Sequence, residues 1–148
     1  MKSNSLKKPE KSLPFHWYYD SKIFQKEIDK IFNDEWIYAY HVNSIEKNHY
    51  RTLNIDHKNI VLIKNKSEKI SVFYNTCLHR GSQIFEQQEG KMKSPVIVCP
   101  YHQWSYDASS GSLLNTTSIK LNEFDKKKYN LQKVNFYIWK GLIFINLK

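Results

Sequence analysis

Residues 77–81 have the sequence Cys-Leu-His-Arg-Gly, and residues 99–104 have the sequence Cys-Pro-Tyr-His-Gln-Trp. The chain contains two cysteines, and each lies two or three positions ahead of a histidine. Nineteen residues separate His79 from Cys99. Two thiols and two imidazoles in paired segments predict a metal centre that links two loops, and such a link adds to the stability of a domain this small.

The order of the four candidate ligands distinguishes between kinds of metal centre. A [2Fe–2S] cluster can be held by two Cys on one iron and two His on the other, and one Cys and one His from each segment suit that arrangement. Structural Cys2His2 zinc sites present both cysteines first and both histidines later. A catalytic Cys-His pair would leave the second pair without a role. The pattern favours iron–sulfur, with zinc and a nucleophilic cysteine as weaker alternatives.

The use of histidine has an electrostatic meaning. Two ferric ions, two sulfides, two thiolates and two neutral imidazoles sum to a formal charge of about zero, against about −2 for four thiolates. An electron enters a neutral cluster more easily. The potential of such clusters therefore lies at about −150 to +300 mV, against about −400 mV for plant-type all-Cys clusters.

Composition argues against a nucleic-acid partner. The 148-residue chain carries a net charge of +9, but its basic residues are nearly all Lys, with Arg51 and Arg80 as the arginines. Proteins that bind phosphates and bases rely on the planar fork of Arg. The lysines are spread along the chain, with one short run at Lys126–Lys128. An RNA-binding module therefore stays a weak alternative.

The chain shows no pattern for export or membrane insertion. Residues 1–14 are polar and lack an apolar h-region, and the longest apolar run, 141–147, is too short to cross a bilayer. Cysteines that serve as ligands fit a reducing compartment. We therefore expect a cytoplasmic protein without a membrane partner.

The pattern along the chain divides it into three parts. Residues 1–13 are charged and aperiodic and predict a flexible N-terminal arm. Residues 14–35 predict a helical lead-in with a cap at Asp20 or Ser21. Its apolar residues recur at helical spacing, and packing on the core is a better explanation than a membrane or partner contact. Residues 36–148 predict the metal-binding domain.

Short strands with tight turns predict that this last part is a mainly β, antiparallel domain. Both Cys-His segments begin where a predicted strand ends, so their loops can meet at one tip. The predicted strands are Trp36–His41, Tyr50–Ile55, Ile60–Lys64, Ile70–Asn75, Pro95–Val98, Trp104–Tyr106, Leu131–Trp139 and Leu142–Leu147.

The two segments resemble the Rieske motif in the large (alpha) subunits of ring-hydroxylating oxygenases. The similarity extends over about residues 14–147, including the lead-in at Tyr18–Trp36 and the closing strand at 141–147. It implies an antiparallel Rieske-type β-sandwich with two cluster-binding loops, preceded by one short helix. It also assigns roles to the ligands and their neighbours: Cys77 and Cys99 on one iron, His79 and His102 on the other, Gly81 in the tight first loop, and Trp104 as a shield beside the cluster.

Three departures from the family's pattern lie outside the ligands. Gln103 stands where the family usually has Gly, the inter-loop gap is longer, with the surplus in Glu86–Ser94, and Asp107–Gly111 is one residue longer. Rieske proteins of cytochrome bc complexes carry two further Cys, a membrane helix and a Ser after the second His, all absent from this sequence. Fewer hydrogen bonds to sulfur predict a potential at the low end of the Rieske range.

The resemblance implies a function and a further domain. In the family, a mononuclear Fe(II) site in a C-terminal domain activates O2, and this sequence stops at Lys148, where that domain would begin. We expect a domain that accepts single electrons from a ferredoxin or flavin reductase and passes them to a catalytic domain or a neighbouring subunit, with a homotrimer implied by the family. A self-standing Rieske-type ferredoxin is the alternative, which the lead-in disfavours.

Overall fold

The computed structural model describes residues 11–117 and 125–148. Ten strands in these residues form three antiparallel sheets with the orders β1-β10-β9, β4-β3-β2-β5 and β6-β7-β8. The strands are β1 Ile37–His41, β2 His49–Ile55, β3 Lys58–Lys64, β4 Ile70–Tyr74, β5 Glu89–Lys91, β6 Val96–Val98, β7 Ser105–Asp107, β8 Leu113–Asn115, β9 Asn135–Trp139 and β10 Leu142–Asn146. The predicted mainly β, antiparallel sandwich is confirmed.

The four-stranded sheet separates two cores. Val61 and Ile63 of β3 face one core, and Ile60 and Leu62 face the other. Strand β3 is therefore buried on both sides, which explains its uninterrupted apolar run. The first core contains both cysteines, so it is the side on which the Cys-His loops lie.

The lead-in contains a short α-helix, α1, at Ser21–Glu27. The Asp20 carboxylate caps it by accepting hydrogen bonds from the backbone N–H groups of Lys22 and Ile23, at 2.7 and 3.4 Å. A π-helical turn, Ile28–Phe32, continues the chain. The apolar stripe packs only in part: Ile28 is buried and Phe32 contacts the second core, whereas half the surface of Phe24 and of Ile31 remains exposed.

The predicted strands occur within one or two residues of their expected bounds, except that β9 begins four residues later than predicted. Strands β5 and β8 and the 3₁₀ turn Lys126–Tyr129 were not predicted. Strand β5 lies within Glu86–Ser94, the segment in which the resemblance predicts extra residues, and pairs with β2. The predicted arm lies mostly outside the described residues.

No helix in residues 11–117 and 125–148 is long and apolar enough to cross a membrane.

Candidate metal centre

The first Cys-His loop follows β4 and is closed by backbone hydrogen bonds. The Cys77 N–H donates to the Ser82 carbonyl at 2.8 Å, and the Gly81 N–H donates to the Cys77 carbonyl at 2.9 Å. Gly81 has a φ of +71°, a conformation that Gly adopts without steric cost. The predicted part of Gly81 in a tight first loop agrees with this geometry.

Buried Asn75 anchors this loop to the middle sheet. Its side-chain amide donates to Asn59 Oδ1 at 2.7 Å and to the Phe85 carbonyl at 2.8 Å, and its Oδ1 accepts from the Phe85 N–H at 2.8 Å. The chain on both sides of the loop is therefore held to β3 by one satisfied amide.

The second loop follows β6 and repeats the backbone pattern of the first. The Cys99 N–H donates to the Trp104 carbonyl at 2.9 Å, and the Gln103 N–H donates to the Cys99 carbonyl at 3.0 Å. Gln103 has a φ of +58° and occupies the position in its loop that Gly81 occupies in the first. The departure at Gln103 thus places a side chain where the backbone favours Gly, and that side chain points to solvent.

The two loops meet at one tip of the domain. Cys77 and Cys99 are buried, unpaired in a disulfide, and close enough for their thiols to interact. The rings of His79 and His102 lie 4.7 Å apart between centroids, and both are partly exposed. The structure therefore brings together all four side chains predicted as ligands, with sulfur inside and imidazole toward the surface.

The histidine nitrogens fit a metal centre. Nδ1 of His79 and Nδ1 of His102 are buried, and neither has a hydrogen-bond partner. A buried polar atom without a partner is costly unless another group completes it, and an iron ion would. No group of three or more His, Cys, Asp or Glu among the described residues is arranged around a single ion. A dinuclear cluster, which asks two protein ligands of each iron, suits this donor set better than one tetrahedral zinc.

Trp104 lies directly beside the histidines. Its ring is 1% exposed and stacks on the His79 ring, with centroids 4.4 Å apart and an interplanar angle of 8°. The Tyr129 ring lies 5.5 Å from that of Trp104, in an edge-on arrangement. Trp104 is therefore buried beside one of the predicted ligands, and its role as a shield stays a prediction.

Tyr106 is a site residue that the sequence analysis missed. It lies fully buried on β7, and its hydroxyl is 3.1 Å from Cys77 Sγ. An O–H that donates to a thiolate stabilises negative charge on sulfur. The available sequence signal was a Tyr two residues after Trp104 at a predicted strand position.

Burial dominates the electrostatics of the site. It raises the pKa of the Cys77 thiol, against the opposing effect of the Tyr106 hydrogen bond. Burial, followed by the hydrogen bond to Cys77, raises the pKa of Tyr106, so that phenol stays a proton donor. Burial also lowers the pKa of His79, with the His102 and Arg80 charges acting in the same direction. Neutral imidazole is the form that can bind metal, whereas Cys77 must release its proton on binding.

A β-sandwich that brings two Cys-His loops to one tip defines the class of Rieske-type iron–sulfur proteins. The Rieske [2Fe-2S] domain family matches residues 35–125, and the chain belongs to that family.

Curated relatives place this domain among oxygenase components. The chain is 34% identical over 134 residues to the alpha subunit of 2-aminobenzenesulfonate 2,3-dioxygenase from Alcaligenes sp, covering 88% of this chain and 34% of the relative. It is 34% identical over 137 residues to the oxygenase subunit of glycine betaine monooxygenase from Pseudomonas aeruginosa, covering 92% and 31%. The chain thus spans about a third of the length of these relatives.

Solved structures agree with the sequence relatives. A quaternary ammonium Rieske monooxygenase in complex with an inhibitor superposes with a TM-score of 0.81 at 31% identity, covering 93% of this chain and 38% of the other. Naphthalene 1,2-dioxygenase from Rhodococcus sp. bound to indole superposes with a TM-score of 0.77 at 28% identity, covering 87% and 30%. The chain carries a Rieske domain like that of oxygenase alpha subunits.

Proposed function

We propose that this chain is the electron-transfer domain of a Rieske oxygenase large subunit. The observation that carries the proposal is the convergence of two buried thiols and two imidazoles whose Nδ1 atoms have no partner. When bound, the [2Fe–2S] cluster would accept and release one electron at a time.

Each side chain has a stated part in this proposal. Cys77 and Cys99 hold one iron through sulfur, and His79 and His102 hold the other through Nδ1. Tyr106 donates a hydrogen bond to Cys77 Sγ, and Trp104 excludes water from the face on which it stacks. Gly81 closes the first loop without steric cost, and Gln103 takes the same backbone conformation in the second loop.

The histidines also provide the route by which an electron would leave the cluster. Both imidazoles are partly exposed, whereas both cysteines are buried. With Nδ1 turned inward, the opposite edge of each ring can contact an electron acceptor, and edge contact shortens the distance between the redox centres. Exposed Leu78 and Tyr101 flank the histidines and would form part of that contact.

The whole protein's activity follows as part of the same proposal. The relatives are about three times as long as this chain, so we assign the acceptor, a mononuclear Fe(II) site, to a C-terminal catalytic domain or a neighbouring subunit. The proposal keeps the predicted division of the chain into an N-terminal arm (1–13), a helical lead-in (14–35) and a Rieske domain (36–148). A ferredoxin or flavin reductase would supply electrons in the cytoplasm, and a homotrimer would place donor and acceptor sites in adjacent subunits.

Anaerobic titration of the reconstituted chain 1–148 tests this function. We expect the titration to show uptake of one electron per chain and reversible reoxidation. In a separate assay with O2, we expect no hydroxylated product from aromatic or quaternary ammonium compounds. Product formation by residues 1–148 alone would contradict the assignment of catalysis to another domain, and a chain that takes up no electron would contradict the electron-transfer role.

A further inference from the structure

Three consecutive lysines form an exposed turn that the metal centre does not explain. Lys126, Lys127 and Lys128, here called the lysine turn, occupy a 3₁₀ turn, and all three side chains are exposed. None of them belongs to an ion pair within the described residues. The adjacent Asp125 carboxylate caps the turn by accepting from the Lys127 backbone N–H at 3.2 Å. Within residues 11–117 and 125–148, no acidic side chain forms an ion pair with this positively charged turn.

The fold holds this turn in place beside the cluster loops. Immediately after it, the Asn130 side chain accepts a hydrogen bond from the Leu113 N–H at 2.8 Å, and the Leu131 N–H donates to the Gly111 carbonyl at 2.8 Å. Leu131 is buried in the core that also contains Cys77 and Cys99. The lysine turn is therefore anchored to the core by the two residues that follow Tyr129.

A row of contacting rings leads from the turn to a cluster ligand. Tyr129, the last residue of the turn, packs on the cysteine-containing core, and its ring lies 5.5 Å from that of Trp104. Trp104 in turn stacks on His79 at 4.4 Å. A redox protein seated on the lysines would therefore lie two ring contacts from His79.

We propose that the lysine turn is the docking surface for the electron donor, and that this donor is an acidic iron–sulfur protein. The inference rests on the proposed function. One electron passes from the reduced donor to the cluster of this chain, so the donor is oxidised, the cluster is reduced, and no covalent bond changes. An unpaired positive surface raises the encounter rate with an acidic partner and orients it.

The experiment is stopped-flow reduction of the reconstituted chain by a reduced, acidic plant-type [2Fe–2S] ferredoxin. The test variant is K126E/K127E/K128E. The matched control is K22E/K26E/K30E, which reverses three exposed lysines on the lead-in, whose Phe32 packs on the other core. Each variant lowers the net charge from +9 to +3, so only the position of the charges differs.

At about 0.01 M salt, we expect the second-order rate constant of the test variant to fall roughly tenfold or more, and that of the control to fall much less. The difference should vanish near 1 M salt, where screening reaches about 3 Å. Reduction by dithionite should be equally fast in all three proteins. Equal losses in both variants, or no loss in either, would overturn the docking site while leaving electron transfer intact. Failure of the wild-type chain to assemble a reducible cluster would overturn the proposed function with it.

Discussion

Tyr106 is the residue with the most direct influence on the proposed cluster. Its hydroxyl lies 3.1 Å from Cys77 Sγ, and burial keeps it protonated. Reduction adds negative charge that is shared with the sulfur ligands. A donated O–H bond therefore stabilises the reduced state more than the oxidised state.

Substitution of Tyr106→Phe should lower the reduction potential. A net hydrogen bond of about 0.5–1.5 kcal/mol corresponds to roughly 20–65 mV for one electron. Tyr74→Phe is the matched control, because Tyr74 donates its hydroxyl to the Leu147 carbonyl, beside the second core and away from the cluster. Spectroelectrochemical titration measures both. An equal shift in the two variants would show that the Tyr106 hydroxyl has no specific effect on the cluster.

Gln103 marks a difference between the two Cys-His loops. The two loops share one hydrogen-bond pattern, yet the position with positive φ is Gly81 in one and Gln103 in the other. A left-handed conformation costs a residue with a side chain about 1–2 kcal/mol. Gly avoids that cost, but it loses about 0.5–1 kcal/mol more backbone entropy on folding than a residue with a side chain.

Gln103→Gly should therefore stabilise the cluster-loaded chain by roughly 0.5–1 kcal/mol. Gln87→Gly is the control, since Gln87 is also exposed but is not among the residues with positive φ. It should destabilise the chain by a similar amount. Thermal unfolding followed by circular dichroism gives both values. A lower melting temperature for Gln103→Gly would mean that the exposed Gln side chain makes a contribution that the backbone argument omits.

At the scale of elements, the turn between β7 and β8 is held by one carboxylate. Asp107 Oδ1 accepts from the Ser109 N–H, the Ser110 N–H and the Ser110 hydroxyl at 3.1, 2.7 and 2.8 Å. The Ser110 backbone hydrogen bond, then that of its hydroxyl, lowers the pKa of Asp107. The resemblance predicts one residue more in this turn than in the family's pattern, and hydrogen bonds to one side chain hold the turn together.

Asp107→Asn should cost about 1 kcal/mol at neutral pH, discounted for partial exposure. Because the folded-state pKa is depressed, this contribution is fully present above the unfolded-state value of about 3.9 and is lost as pH falls through the folded value. The stability difference between wild type and variant should stay constant above about pH 5 and shrink below about pH 4. Exposed Glu86, changed to Gln, provides the comparison in parallel thermal scans. A difference that persists unchanged into acid would refute the role of the charge.

Particular elements also show how far the sequence could predict the structure. Strand β3 was predictable because four successive apolar residues need burial on two faces. Strands β5 and β8 were missed because each has three residues and β5 is mostly polar, so pairing with a neighbour decides its conformation. The proximity of Tyr106 to Cys77 was equally hidden, since they lie 29 positions apart in the sequence and only the fold brings them together.

At the scale of the whole molecule, the two cores stabilise different parts of the fold. The core on one side of the middle sheet contains the cysteines, Trp104 and Tyr106, whereas the core on the other side joins the outer sheet β1-β10-β9 and the lead-in. The cluster would therefore stabilise one half of the sandwich directly. Loss of iron should loosen the two loops first, because His79 and His102 would then leave buried nitrogens without partners.

The central claim, that two cysteines and two histidines hold a [2Fe–2S] cluster, is tested most directly by pulsed electron paramagnetic resonance of the reduced, reconstituted chain. Chemical analysis should find about two irons and two sulfides per chain. The spectrum of the reduced cluster should show hyperfine coupling to two histidine nitrogens. Substitution of His79 or His102 should remove one of these couplings. A cluster without coupled nitrogen, or a colourless chain that binds one zinc ion through the same residues, would contradict the account.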